Sequence, residues 1–183
     1  MMRSENKLMD TGILVRSSAD ADALMADIRA AAGQACRWAA AQVGEPLEVL
    51  RQMKFEPVGV HPVDGRPLNL VEQINQTWSF AVAVAATRLL LRLHPEADGF
   101  YLAPGAHASQ PLDIMSIAPG LVGAETFAAV HPSNNGKLAK DLAKLTARPE
   151  IHRYVFFLSP LYPRLERRLQ LERGGVQVWS VEV

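Results

Sequence analysis

Two acidic residues stand out by their setting. Asp113 falls in Pro111-Leu-Asp113-Ile-Met-Ser-Ile, and Glu125 in Leu-Val-Gly-Ala-Glu125-Thr-Phe127-Ala-Ala-Val. Both stretches have the composition of strands, and Pro119-Gly120 between them reads as a turn. Adjacent strands would bring the two carboxylates together, and paired carboxylates are the hard oxygen ligands that a divalent cation takes. Along a strand alternate side chains share a face, so Glu125, Phe127 and Ala129 point the same way.

A polar loop, His131-Pro-Ser-Asn-Asn-Gly136, then leads into Lys137-Leu-Ala-Lys140-Asp-Leu-Ala-Lys144-Leu145, a helical pattern. At about 100° per residue the three lysines lie roughly 130° around from Leu138, Leu142 and Leu145. With the leucines against a sheet, the lysines form a solvated face. Lys137, in the first turn, is the one placed to swing back. The acids also have a purely structural reading, with Asp113 capping a turn and Glu125 paired with Arg153, since a buried unpaired glutamate is costly.

The elements that position these residues follow from periodicity. Gly12 to Val15 is a short strand or docking arm. Ala21 to Val43 is rich in helix formers, with Leu24, Met25, Ile28, Ala32, Cys36 and Ala39 at helical spacing, so these form its core face. Leu47 to Met53 is a short second helix. Residues 54–68 form a loop punctuated by Pro57, Pro62, Gly65 and Pro67.

Asn69 and Glu72 make a capping-box pattern for a helix that runs to His94. Val71, Ile74, Trp78, Val82, Ala85, Leu89 and Leu93 form its main stripe. Phe80, Val84 and Leu91 cover much of the rest, so the helix belongs in the interior, with Trp78, Val82 and Leu89 against the sheet. Strands are expected over 100–103, 112–117 and 122–130. The apolar run 154–158 reads as an interior strand. Arg164 to Arg173 reads as a charged helix, and Val176 to Val183 as a half-buried strand.

Composition bounds the rest. The 183 residues are 49% hydrophobic and 21% charged, as for one globular domain. Lys plus Arg equals Asp plus Glu at 19 each, so a nucleic-acid partner would need a local basic patch rather than a global field. A single cysteine, Cys36, excludes intrachain disulfides and cysteine metal sites. No signal-peptide core appears at the N-terminus, and the most apolar run, Trp78 to Leu91, is shorter than the ~20 residues that cross a bilayer. These features predict a soluble cytoplasmic protein without a membrane partner. His61, His107 and His131 fall in loops, and no His-x-x-x-His or Glu-x-x-His spacing marks a separate metal site. Phosphate-loop, dinucleotide and nucleophile-elbow motifs are absent.

The order helix, three strands, helix, strand, with Asp113 and Glu125 so placed, resembles the PD-(D/E)xK superfamily over residues 69–159. That resemblance implies an α/β fold: a restriction-endonuclease-like core with a mixed central sheet flanked by helices. It would span residues 69–183, with residues 1–68 as an N-terminal helical extension and a helix-strand at the C-terminus. It implies Asp113 and Glu125 as ligands of Mg²⁺ or Mn²⁺, and an acid or glutamine of the first core helix, Glu72, Gln73 or Gln76, in support. The family's lysine two residues after the second acid is replaced by Phe127, which can neither assist water nor meet phosphate charge. Some members take that lysine from the next helix, which points to Lys137.

The sequence thus favours a catalytically impaired nuclease-like protein acting as a binding or assembly module. The alternatives are an active magnesium-dependent nuclease using Asp113, Glu125 and Lys137, or a structural domain whose partner is another protein or a second copy. Whether Lys137, Lys140, Lys144, Arg88 and Arg92 converge decides whether a nucleic-acid patch exists.

Overall fold

A computed structural model describes residues 12–105 and 110–183, so His107 lies outside the described residues. The seven-stranded sheet among them is mixed. Its first strand, β1 (Ile13–Val15), pairs antiparallel with β4 (Phe100–Leu102) at one edge. β4, β5 (Ile114–Ser116) and β6 (Val122–Ala128) then form an antiparallel meander. Helix α4 (Lys137–Thr146) carries the chain across to β7 (His152–Leu158), which runs parallel to β6. β9 (Gln177–Ser180) adds in parallel, and β8 (Glu166–Arg167) closes the far edge antiparallel.

Helices cover both faces. The long helix α3 (Leu70–Leu93) lies on one face, with α1 (Ser18–Ala40) packed on it. Val82, Val84, Leu90, Phe100, Ile114, Val122, Ala124, Tyr154 and Phe156 build the core there. Burying that apolar surface is the main driving force for assembling these layers. α4 covers the other face, where Leu138, Leu142 and Leu145 join Phe127, Val155, Phe157 and Val178. β7 is therefore apolar on both sides, as its continuous hydrophobic run predicts. Two short strands, β2 (Gly59–Val60) and β3 (Pro67–Leu68), pair within the stretch read as loop. The helix α2 (Pro46–Phe55) buries none of its side chains.

The structure corrects three expectations. Trp78 is 45% exposed, and Val71 and Ile74 are exposed with it. The first turns of α3 bury the other side instead. Leu70 is buried there, and Gln73 accepts from Val60 N at 2.9 Å while donating to Ala31 O at 2.9 Å. Those bonds satisfy a buried amide and fix the rotation of α3, which leaves Trp78 outside. Val82 and Leu89, one to three turns on, are buried as expected.

Cys36 is exposed rather than a core residue, because α1 packs through Ala21, Leu24, Met25, Ile28 and Ala31 and leaves the core in its last turns. Residues 164–173 are not a helix. Their charges pair within the segment: Arg167 Nε donates to Glu172 Oε1 at 2.7 Å, and Arg168 Nη1 meets Glu166 at 2.8 Å. Arg168 also sits over the Tyr162 ring at 4.7 Å. Only a short 3-10 turn, Leu169–Leu171, remains helical there.

Among the described residues no helix is long and apolar enough to cross a membrane.

Candidate functional site: a carboxylate and lysine cleft

The site grows out of β6. Val122 and Ala124 point into the α3 face, whereas Glu125 and Phe127 face α4. The antiparallel register pairs Ile114 with Ala124, so Asp113, just before β5, comes beside Glu125. Asp113 is held there by β6 itself. Its Oδ2 accepts from Thr126 N at 2.8 Å and Thr126 Oγ1 at 2.9 Å, and its carbonyl accepts from Ala103 N. Both acids line a cleft of about 850 Å³ between the first half of α3, residues 104–105 and 110–113, and α4. Trp78, Phe127, Asn134, Asn135, Lys137, Lys140 and Lys144 line it too.

Glu125 is only 3% exposed. Burial, and then the charge of Asp113, raise its pKa above the ordinary glutamate value, and Lys144 only partly opposes them. Lys144 Nζ donates to Glu125 Oε1 at 2.6 Å, and Lys137 Nζ stands 3.8 Å from Oε2. Lys137 also donates to Asp141 Oδ1 at 2.6 Å. Burial works against the Lys137 charge, but its bond to Asp141 and the charges of Asp141, Glu125 and Asp113 prevail, so its pKa is raised. Asp141, almost fully buried, is pushed up by burial despite Lys137, and its Oδ2 has no hydrogen-bond partner. An orphaned buried carboxylate oxygen is costly.

Sequence reasoning put Asp113, Glu125 and Lys137 together, and they do meet. It placed Lys144 in solvent, and that is corrected: although half-exposed, its ammonium curls onto Glu125. Asp141 was missed. The readable signal was the spacing of Lys137, Asp141 and Lys144 at i, i+4 and i+7, a stripe of its own beside the leucines. The stripe lies about 100° from the leucine stripe, within reach of the cleft for a long side chain.

Phe127 is 7% exposed and stacks on Phe157 with centroids 5.8 Å apart. Glu72 is exposed and does not line the cleft; its backbone N–H donates to the Asn69 cap at 2.8 Å. Gln76 is half-buried against Gly105, at the mouth. Arg153 donates to the carbonyls of Leu145 and Thr146 at the end of α4, not to Glu125. Arg88 and Arg92 line a different cleft, beside Arg16, Asp22 and His94, so they do not join the lysines. His61 is packed against Phe80 and paired with Asp64 at 3.1 Å.

No protein-family model matches the chain, and no curated protein or solved structure matches it.

Proposed function

We propose that this cleft is a divalent-metal-dependent phosphodiesterase site acting on nucleic acid. In this reading the chain is a restriction-endonuclease-like protein whose lysine function has moved from the strand to α4. The observation that carries it is the meeting of Lys137 and Lys144 with Glu125 beside Asp113. The order α3, three antiparallel strands, α4 and a parallel strand supports the same reading.

Asp113 and Glu125, which both line the cleft, would hold the ion, with water completing its coordination. An all-oxygen set of this kind suits Mg²⁺ or Mn²⁺. A bound ion of that class polarises a phosphate oxygen and lowers the pKa of its water. The chain's own residues then have distinct tasks. Lys137 and Lys144 meet the charge that develops on phosphate, and Lys140 with Asn134 and Asn135 line the path of the backbone. Phe127 closes the floor against water and keeps the local dielectric low. Glu125 would exchange its lysine partner for the ion, whose charge would offset its burial and the nearby charge of Asp113.

The second reading, binding without cleavage, rests on Phe127 and on the seal that Lys144 forms over Glu125. One set of assays separates them. Purified protein with Mn²⁺ or Mg²⁺ is expected to cut single- or double-stranded DNA or RNA, with activity lost in Asp113→Ala. Removing Lys144 or Lys137 should lower the rate by about two to four orders of magnitude. Salt-dependent binding that the lysine variants weaken, with no cleavage, would establish the second reading. Neither cleavage nor binding sinks both.

A further inference from the structure

On the opposite face of the sheet lies a second set of metal-ligating side chains. His94 caps the end of α3, Glu96 sits in the 3-10 turn Pro95–Ala97 that follows, and His152 begins β7. The two histidines are 58 positions apart in sequence, yet their rings lie 4.4 Å apart. One ligand atom from each of the three residues falls within 4.8 Å of the others. We propose that His94, Glu96 and His152 form a binding site for a zinc-class transition-metal ion, independent of the carboxylate cleft.

The detail around His94 carries the argument. Its ring is 6% exposed, so both nitrogens need partners. Nε2 lies 2.7 Å from the Tyr154 hydroxyl, itself on a buried residue. Nδ1 faces Glu96 Oε1 at 3.1 Å. In the Nε2–H tautomer Tyr154 accepts that hydrogen and Nδ1 presents its lone pair to an ion. A metal-bound imidazole is commonly oriented in just this way, through its other nitrogen.

Zinc sits about 2.0–2.1 Å from a histidine nitrogen and about 2.0–2.2 Å from a carboxylate oxygen, so tetrahedral ligation separates the two by roughly 3.3 Å. The observed 3.1 Å is close to that spacing. The Glu96 carboxylate faces His94 Nδ1 from the solvent side, placed to ligate the same ion. Glu96 is more than half exposed, which gives an ion a route in and leaves a coordination position to water. Two imidazoles and one carboxylate form a borderline donor set that prefers first-row transition ions over magnesium. The site ties the end of α3 to the first residue of β7.

Without metal the same atoms form a hydrogen-bonded chain, Tyr154 O–H to His94 Nε2 and Nδ1–H to Glu96. Metal binding at Nδ1 would move that proton to Nε2, whose N–H then donates to the Tyr154 oxygen, so the neutral imidazole changes tautomer with no net proton release.

Calorimetric titration of the chelator-treated full chain with zinc tests this, alongside cobalt absorption spectroscopy. One zinc per chain is expected, with visible cobalt bands of low coordination number. Glu96→Gln, at an exposed position that preserves the fold, should weaken binding at least tenfold, and His152→Ala should abolish it. Tyr154→Phe should weaken it by about ten- to a hundred-fold. An Asp113→Ala, Glu125→Gln double variant should bind zinc as the wild type does, so failure here and failure of the phosphodiesterase reading are distinguishable. No zinc uptake, uptake unchanged by both Glu96→Gln and His152→Ala, or uptake lost in the cleft double variant overturns the proposal.

Discussion

The two faces of β6 differ sharply although they share one strand. On the α3 side, Val122 and Ala124 join an apolar layer with Phe100, Ile114 and Phe156, all essentially without solvent contact. On the α4 side, Gly123 gives way to Glu125 and then Phe127. There two buried carboxylates, Glu125 and Asp141, sit beside an aromatic pair and are countered only by lysines that reach in from a half-exposed helix face. A fold optimised only for stability would not put unevenly matched charges next to Phe127 and Phe157, because removing charge from water is expensive. The α3 face serves cohesion, and the α4 face gives up some cohesion to hold a charged cleft.

That contrast can be broken at several points. The largest effect should come from the cohesive face. Phe156→Ala empties a fully buried aromatic site and should cost about 3–5 kcal/mol in denaturant unfolding. A loss under ~1 kcal/mol would show that this layer is not the core.

Glu125→Gln should act in the opposite direction at neutral pH. A carboxyl whose folded pKa lies above its unfolded value favours the native state most when protonated. Its stabilising contribution is full below the unfolded pKa and falls as pH rises through the window up to the folded pKa. The glutamine variant should therefore gain stability over wild type at pH 7, by about 0.5–2 kcal/mol, as functional sites commonly yield. The gain should shrink as pH falls through that window and level off below it. A variant less stable than wild type at pH 7 would mean that the lysine pairs outweigh the burial of Glu125.

The smallest effect belongs to Trp78→Ala, which should change stability by less than about 1 kcal/mol, the range of exposed positions. If the cleft takes nucleic acid, the same variant should instead weaken binding of single strands, since an exposed indole at its wall offers a stacking surface. A multi-kilocalorie stability loss would contradict the rotation of α3 seen here.

Much of this arrangement was legible in residue order. Alternation and turn residues marked β4, β5 and β6, the double-sided apolar run marked β7, and Asn69 with Glu72 marked the start of α3. These are local properties, set by backbone sterics and by which side chains avoid water. The pairing of Asp113 with Glu125 followed from them, because a tight meander fixes the register of neighbouring strands.

Tertiary packing decided the rest. The rotation of α3, and so the exposure of Trp78, depends on Gln73 finding Val60 and Ala31, residues far from it in the chain. Residues 164–173 carry helical composition, yet the free edge of β9 captured Glu166 and Arg167 as a strand, and their charges paired with Arg168 and Glu172 beside it. Lys144 belonged by periodicity to a solvated face. Only the seating of Leu138, Leu142 and Leu145 on the sheet brought its ammonium within 2.6 Å of Glu125. His94 and His152 share no spacing that periodicity can read, because their contact exists only once α3 crosses the sheet above the start of β7. Local sequence settles which elements form and which face each buries. Contacts between elements settle how far each is turned, and a turn of a few tens of degrees carries a long side chain from solvent into a site.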